Sequence, residues 1–353
     1  MIADNDIPKR AGSKAPTPSP SSARSPELDI IKGGLVVIML LYHCTDRDFF
    51  PFTECLRSRI HFIHFAFLGI SGFLCGYHYA NREAATLGSA QRRLTVRAGK
   101  LLLLFLLTNL ALCLAGQGAT LAAWRNASAG WQVLFLNLVV SVNGSLVSFE
   151  ILYLIALFLL TAGCLLRIGR NGIWLLPALA TSVVYLPGTT SLFMGFGCLA
   201  MWAGMLLRAA PGFTATATCG HRLLLAPGLL AIHLAVSPAL SSSVGRGWIV
   251  PFYAAETCLW GLSFLAVARF TPGPWAGNVL STLGRYTLLA YLVHLPLARI
   301  LLRVWPSDNR GTNAAFIAVL LISISATYLT IRFVAYARKR IPTSDRLYRA
   351  VFE

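Results

Sequence analysis

Between Glu27 and Cys44 the chain reads ELDIIKGGLVVIMLLYHC, an apolar run that carries a carboxylate, an ammonium and an imidazole at Asp29, Lys32 and His43. A helix turns about 100° and rises about 1.5 Å per residue, so Lys32 and His43 fall within roughly 20° of one face and about 16 Å apart along it. Asp29 falls within about 60° of both. An ionisable group facing lipid at mid-membrane costs on the order of 2–4 kcal/mol, so such groups turn toward protein or a wet cavity. One face of this run is therefore a candidate site. A neutral imidazole near its end can take a proton from a hydroxyl as a general base or carry an acyl group as an acyl-imidazole. The plainer readings are a satisfied histidine at a span end and an i,i+3 ion pair between Asp29 and Lys32.

Further along, Arg92, Arg93, Arg97 and Lys100 crowd the start of the third apolar run. Arg93 and Arg97 are one helical turn apart, as are Arg97 and Lys100, which suits a polyphosphorylated ligand and equally suits ordinary anchoring at the inner membrane surface. Glu150, in SFEILY, lies just inside another run, where it is either a site carboxylate able to orient an imidazole or the partner of a buried cation. Glu256 has no motif around it and reads as a structural partner or a cavity residue. His294 precedes Pro296, which frees the carbonyl of Leu292, so a kink there and a histidine bonded to loosened backbone are expected. His61 and His64 share a face, but without a carboxylate or thiolate nearby they make a weak metal site, and no bound metal is expected. The eight cysteines stand singly in apolar stretches with no CxxC, and read as small buried hydrophobes.

The elements that must hold these residues follow from composition. Of 353 residues 56% are hydrophobic and 12% are charged, about half the charged share of a soluble domain. Repeated apolar runs of about 20 residues, each able to cross ~30 Å of hydrocarbon, define an all-α polytopic membrane protein. Ten spans are expected, at 28–46, 60–80, 98–116, 147–166, 172–187, 190–208, 222–240, 248–269, 280–302 and 313–336. The net charge of +17 is spread over alternate loops rather than one patch, which argues against a nucleic-acid surface and places both termini in the cytoplasm. Residues 1–27 read as a disordered cytoplasmic tail without a cleavable signal, 28–337 as one transmembrane domain, and 338–353 as a basic cytoplasmic tail. The 117–146 segment holds an apolar middle too short to span, with sequons at Asn126 and Asn143 that matter only in a eukaryotic secretory setting.

Four stretches, in order over residues 28–300, resemble the membrane-bound acyltransferase family 3, bacterial O-acyltransferases of the inner membrane. ELDIIKG running to Leu41-Tyr42-His43 looks like the opening LDGLRG span with its YH pair. Gly69-Ile70-Ser71-Gly72-Phe73-Leu74 is similar to an SGFL segment, Ser148 to Tyr153 to an SVExxFY segment, and Gly284 to Pro296 to a late LGxxSYxxYLxHxP segment. The resemblance implies a multi-pass O-acetyltransferase moving an acetyl group from cytosolic acetyl-CoA to a hydroxyl of a cell-surface or lipid-linked carbohydrate. It implies His43 as the catalytic residue with Glu150 beside it, donor contacts from Lys32, Arg93, Arg97 and Lys100, and support from Asp29, Ser71, Tyr153 and His294. Acyl-CoA would be a donor substrate and not a resident cofactor, with membrane lipids as surroundings and the oligomeric state left open. Two departures stand out. Lys32 replaces the family's arginine and loses its bidentate fork. The family's RxxR falls on Arg97 and Lys100, or, with one residue too many between them, on Arg93 and Arg97. The alternative to an enzyme is a polytopic carrier or flippase of glycans or lipids, for which polar residues in spans serve equally well.

Overall fold

The computed structural model describes residues 26–45, 50, 53–60, 62–80, 84–114, 150–167, 189–209, 225–233, 246–270, 275–305 and 312–352. Within them the chain is helical, with no strand. The named helices are α1 (Pro26–Cys44), α2 (Glu54–Ile60), α3 (Ile63–Cys75, continued by a π-helical turn over Gly76–Ala80), α4 (Ala84–Leu114), α5 (Glu150–Arg167), α6 (Thr189–Ala209), α7 (Arg246–Phe270), α8 (Trp275–Arg285), α9 (Thr287–Val304), α10 (Asn313–Arg340) and α11 (Pro342–Phe352). The expected span over 172–187, the 117–146 segment with Asn126 and Asn143, residues 1–25 and His61 lie outside the described residues, as does most of 222–240.

Among the described residues two helices are long and apolar enough to cross a membrane, Gly88–Ala111 within α4 and Asn313–Arg340, and α8 with α9 makes a third if the broken pair is counted as one span. Both single spans turn their apolar side chains outward. On α4, Leu103, Leu106, Leu107 and Leu110 are exposed, and on α10 Ile317, Leu321, Leu329 and Phe333. Backbone groups satisfied within a helix and an apolar exterior are what hydrocarbon demands. The inner face of α10 is a stripe at every fourth residue: Ala315, Val319, Ser323, Thr327 and Ile331 are all buried.

α1 is the hub, in contact with α3, α7, α8, α9 and α10. Its start is written in the sequence, with Pro26 at the first helical position and Glu27 and Asp29 in the first turn, where carboxylates favour the positive helix end. α1 and α8 touch backbone to backbone. A Cβ on Gly33 would overlap the carbonyl of Leu280, and one on Gly284 would overlap the carbonyl of Asp29. Because 33 meets 280 while 29 meets 284, the two helices run antiparallel. Small residues permit this approach, the usual means of packing helices where no hydrophobic gain over lipid is available. Gly72, in the Ser71-Gly72-Phe73-Leu74 segment, does the same for α3 against the carbonyl of Gly197 on α6.

The span expected at 280–302 is not one rod. α8 and α9 meet at a 90° bend. The turn falls at Tyr286, ten residues before Pro296, which α9 carries inside its helix. The reason is local. Gly284 is pressed against α1, and the Thr287 hydroxyl donates to the Gly284 carbonyl at 2.6 Å, competing for the bond that would continue the helix. Residues 342–352, read from sequence as part of a basic tail, form α11, which turns back at Ile341 and seats Tyr348 in the main hydrophobic core.

Candidate functional site

His43 occupies the last turn of α1, half-buried and turned into the bundle. Its ring lies 5.0 Å from that of His294 on α9 and 5.3 Å from that of Tyr42. Tyr42 in turn meets His64 on α3 edge-on at 5.5 Å. A small recess opens here, lined by Met39, His43, Ile63, His64, Phe67, Ile151 and Tyr291. The charged and chargeable groups acting on His43 are His294, His64, Arg299 and Arg57. Arg57, on the short α2, donates to the Thr45 carbonyl at 3.4 Å and stands over the Tyr42 ring at 5.3 Å, so it covers the end of α1.

His294 is fully buried, and its Nδ1 donates to the Ala290 carbonyl at 3.1 Å. The loosened backbone it was expected to bond was that of Leu292; it bonds the carbonyl one turn below its own position instead. A carbonyl only accepts, so Nδ1 carries the proton and the neutral ring keeps a bare lone pair on Nε2. That Nε2 is buried and has no hydrogen-bond partner among the described residues. A buried acceptor left open beside a second imidazole is unfavourable unless a ligand supplies the hydrogen.

At the other end of α1, Asp29 and Lys32 form an ion pair at 2.8 Å, with the carboxylate almost wholly buried. The plain reading of these two residues is thus present, and Lys32 is held by Asp29. Arg92, Arg93 and Arg97 are exposed on α4. Lys100 Nζ donates to the Arg349 carbonyl on α11 at 3.4 Å. Tyr348 on α11 packs against Tyr286 at 5.6 Å, and Gly284 sits on Asp29. These contacts tie the α4 cations, the α8–α9 bend and the Asp29 end of α1 to the same end of the bundle. His43 lies 11 residues beyond Lys32, about 16 Å along the helix. None of Lys32, Arg93, Arg97 and Lys100 lines the recess at His43.

Glu150 opens α5, and its side chain lies outside the described residues; its neighbour Ile151 lines the recess. Ser71 does not line the recess. Its hydroxyl donates to the Phe67 carbonyl of its own helix at 2.9 Å. Tyr153 is half-buried and meets Phe105 on α4 at 5.8 Å, in the α4–α5 seam. Glu256 is buried on α7 with its carboxylate 4.0 Å from Nε2 of His233, too far for a hydrogen bond. No group of three or more His, Cys, Asp or Glu among the described residues is placed to hold a metal.

Two cations at the site were missed from sequence. Arg299 sits inside an apolar run five residues after His294, and a guanidinium in a span was itself the signal. Nothing in the local sequence marks the reach of Arg57 back to α1. No family model, curated protein or solved structure matches the chain.

Proposed function

We propose that the protein is a multi-pass O-acyltransferase of the bacterial inner membrane, with ten spans and both termini in the cytoplasm, moving an acetyl group from cytosolic acetyl-CoA to a hydroxyl of a carbohydrate or lipid-linked acceptor. The observation that carries this reading is the inward-facing His43, set on a recess beside His64 and Tyr291 and against a second, buried imidazole with an open acceptor nitrogen. In this reading His43 takes the proton of the acceptor hydroxyl as its oxygen attacks the thioester carbonyl. The carbon–sulfur bond then breaks, and the imidazolium returns the proton to the departing thiolate. Arg57 and Arg299 supply the positive field in which the tetrahedral oxyanion forms, the kind of fixed electrostatic help that is worth most in a water-poor site. Glu150 orients the imidazole. The cations of α4 hold the donor's phosphates at the opposite end of α1, and the pantetheine arm covers the distance between.

The test is His43→Ala in purified full-length protein incubated with labelled acetyl-CoA and an extract of envelope glycans. General-base help is typically worth about 10²–10⁴-fold, so the variant loses nearly all transfer at unchanged protein level. Wild-type transfer in that variant ends the assignment. One observation favours a carrier instead, the buried Glu256 facing His233, since paired ionisable groups in spans mark translocation paths. A carrier leaves the label on CoA in every preparation.

A further inference from the structure

We infer that α11 completes a phosphate-binding site on the basic turn of α4, adding Arg349 to Arg93, Arg97 and Lys100, and that its ligand is a nucleotide carrier bearing several phosphates. This rests on the acyl-transfer reading and extends it to an element outside the segments that suggested that reading.

An 11-residue helix is not stable alone, so α11 exists because something holds it. Three contacts do. Tyr348 is buried against Tyr286, with ring centres 5.6 Å apart. The Arg338 guanidinium, from the last turn of α10, lies over the Tyr348 ring at 3.8 Å and donates to Asp345 at 2.8 Å. Lys100 Nζ donates to the Arg349 carbonyl, in the last turn of α11, where carbonyls lack helical partners and a cation is favoured.

What this clasp presents is charge. Arg93, Arg97 and Lys100 follow one another on successive turns of α4, and Arg346 and Arg349 lie one turn apart on α11, mostly exposed. The Lys100 ammonium touches the backbone of the very residue that carries the Arg349 guanidinium. Arg92, Arg93 and Arg97 have no carboxylate partner among the described residues. Asp345 is the one acid among the residues of α11, and it is divided between Arg338 and Arg349, the latter at 2.7 Å. One carboxylate shared by two guanidiniums leaves the combined α4 and α11 set with a surplus of positive charge, which repels itself and stands ready for an anion. Phosphate oxygens suit this set because guanidinium forks bind them bidentately while lysine adds a point charge. Cations on two helices engage separated phosphates, as on a carrier with a diphosphate and a distinct ribose phosphate, better than a single inorganic ion.

The experiment uses full-length protein in nanodiscs of phosphatidylcholine. Affinity is measured for CoA, for dephospho-CoA (which lacks the ribose phosphate) and for pantetheine (which has no phosphate). Wild type binds in that order of decreasing strength. Arg349→Gln weakens CoA binding about tenfold, the scale of one lost charge-assisted contact, narrows the gap between CoA and dephospho-CoA, and leaves pantetheine unchanged. Arg349→Lys recovers part of the loss, and in both variants Arg338 still holds Asp345 and Tyr348 stays buried, so α11 remains docked. If Arg97→Gln weakens CoA while Arg349→Gln does not, α11 is not part of the site and the donor reading stands. If wild type makes no distinction among the three compounds, both ideas fall. If Arg349→Gln changes only retention of phosphatidylglycerol in mixed nanodiscs, the cations hold a lipid headgroup and the inference is overturned.

Discussion

The antiparallel contact of α1 with α8 predicts opposite outcomes for chemically identical substitutions. A Cβ on Gly33 would stand 2.6 Å from the carbonyl carbon of Leu280 and 3.0 Å from its Cα. These are backbone atoms, so no side chain can swing aside, and α8 itself must move to restore ordinary contact. Forcing a methyl into a packed interface costs typically about 1–3 kcal/mol, and a rigid neighbour puts Gly33→Ala at the upper end. Gly99, in the middle of α4, is the control, because a Cβ there meets nothing within 4 Å. Gly99→Ala removes the flexibility penalty of a helical glycine and gains about 0.5–1 kcal/mol. The assay is the fraction of detergent-solubilised protein that stays monodisperse after a heating series. Gly33→Ala should melt well below wild type and Gly99→Ala at or slightly above it. Displacing α8 also moves the bend into α9, so Gly33→Ala should lower acetyl transfer even at temperatures where it is folded. If Gly33→Ala melts with wild type, α1 and α8 do not approach as described, and the positioning of His294 by that contact is wrong.

Other outcomes follow from single residues. His294→Asn keeps an N–H to meet the Ala290 carbonyl but deletes Nε2. It should fold, bind donor as wild type does, and transfer acyl groups about tenfold or more slowly. Full activity in His294→Asn would show that Nε2 serves no step. Arg338, which hydrogen-bonds it, and Arg349 hold the Asp345 carboxyl below the usual carboxylate range. A group with a lowered folded pKa contributes fully above its unfolded value and loses that contribution as pH falls through the folded one. α11 should therefore stay docked from neutral pH down to about pH 4 and loosen only below it. Limited pepsin digestion near Leu347 reads the acid side. Trypsin at Arg346 and Arg349 should cut Asp345→Asn faster at pH 7, and equal rates would mean that Asp345 does not clasp α11. Charge-conserving Lys32→Arg should leave the melting behaviour unchanged, since Asp29 accepts a guanidinium as readily as an ammonium; a large loss would mean that the pair is sterically specified.

Helical class, the turn of Asp29 toward Lys32 and the inward face of His43 were legible because each follows from the cost of placing charge in hydrocarbon and from helical spacing alone. The bend at Tyr286 was not. Proline is the strongest local sign of a kink, and Pro296 drew the expectation, whereas the chain turns where Gly284 is trapped against a distant helix. Local sequence carries no trace of that contact. Nor could residues 342–352 be read as a docked helix from their charge. Arg338, Asp345 and Tyr348 look like an ordinary basic tail until Tyr286, more than fifty residues away, supplies the surface they clasp. Arg299 is the reverse case: its charge inside an apolar run is visible in the sequence, and its action on His43 is not.

The stripe on α10 fixes more than a contact. Each step of four residues overshoots a full turn by about 40°, so a seam through Ala315, Val319, Ser323, Thr327 and Ile331 winds around the helix and its neighbours must cross it at a slant. At 28 residues the helix is about 42 Å long against ~30 Å of hydrocarbon. Slant and surplus length agree: a leaning rod shortens its vertical reach, and its final Arg338-Lys339-Arg340 comes to rest among headgroups instead of far out in water. Bilayer thickness would then set the height at which Ile341 reverses the chain, so a thinner or thicker membrane would raise or lower everything that hangs from that corner.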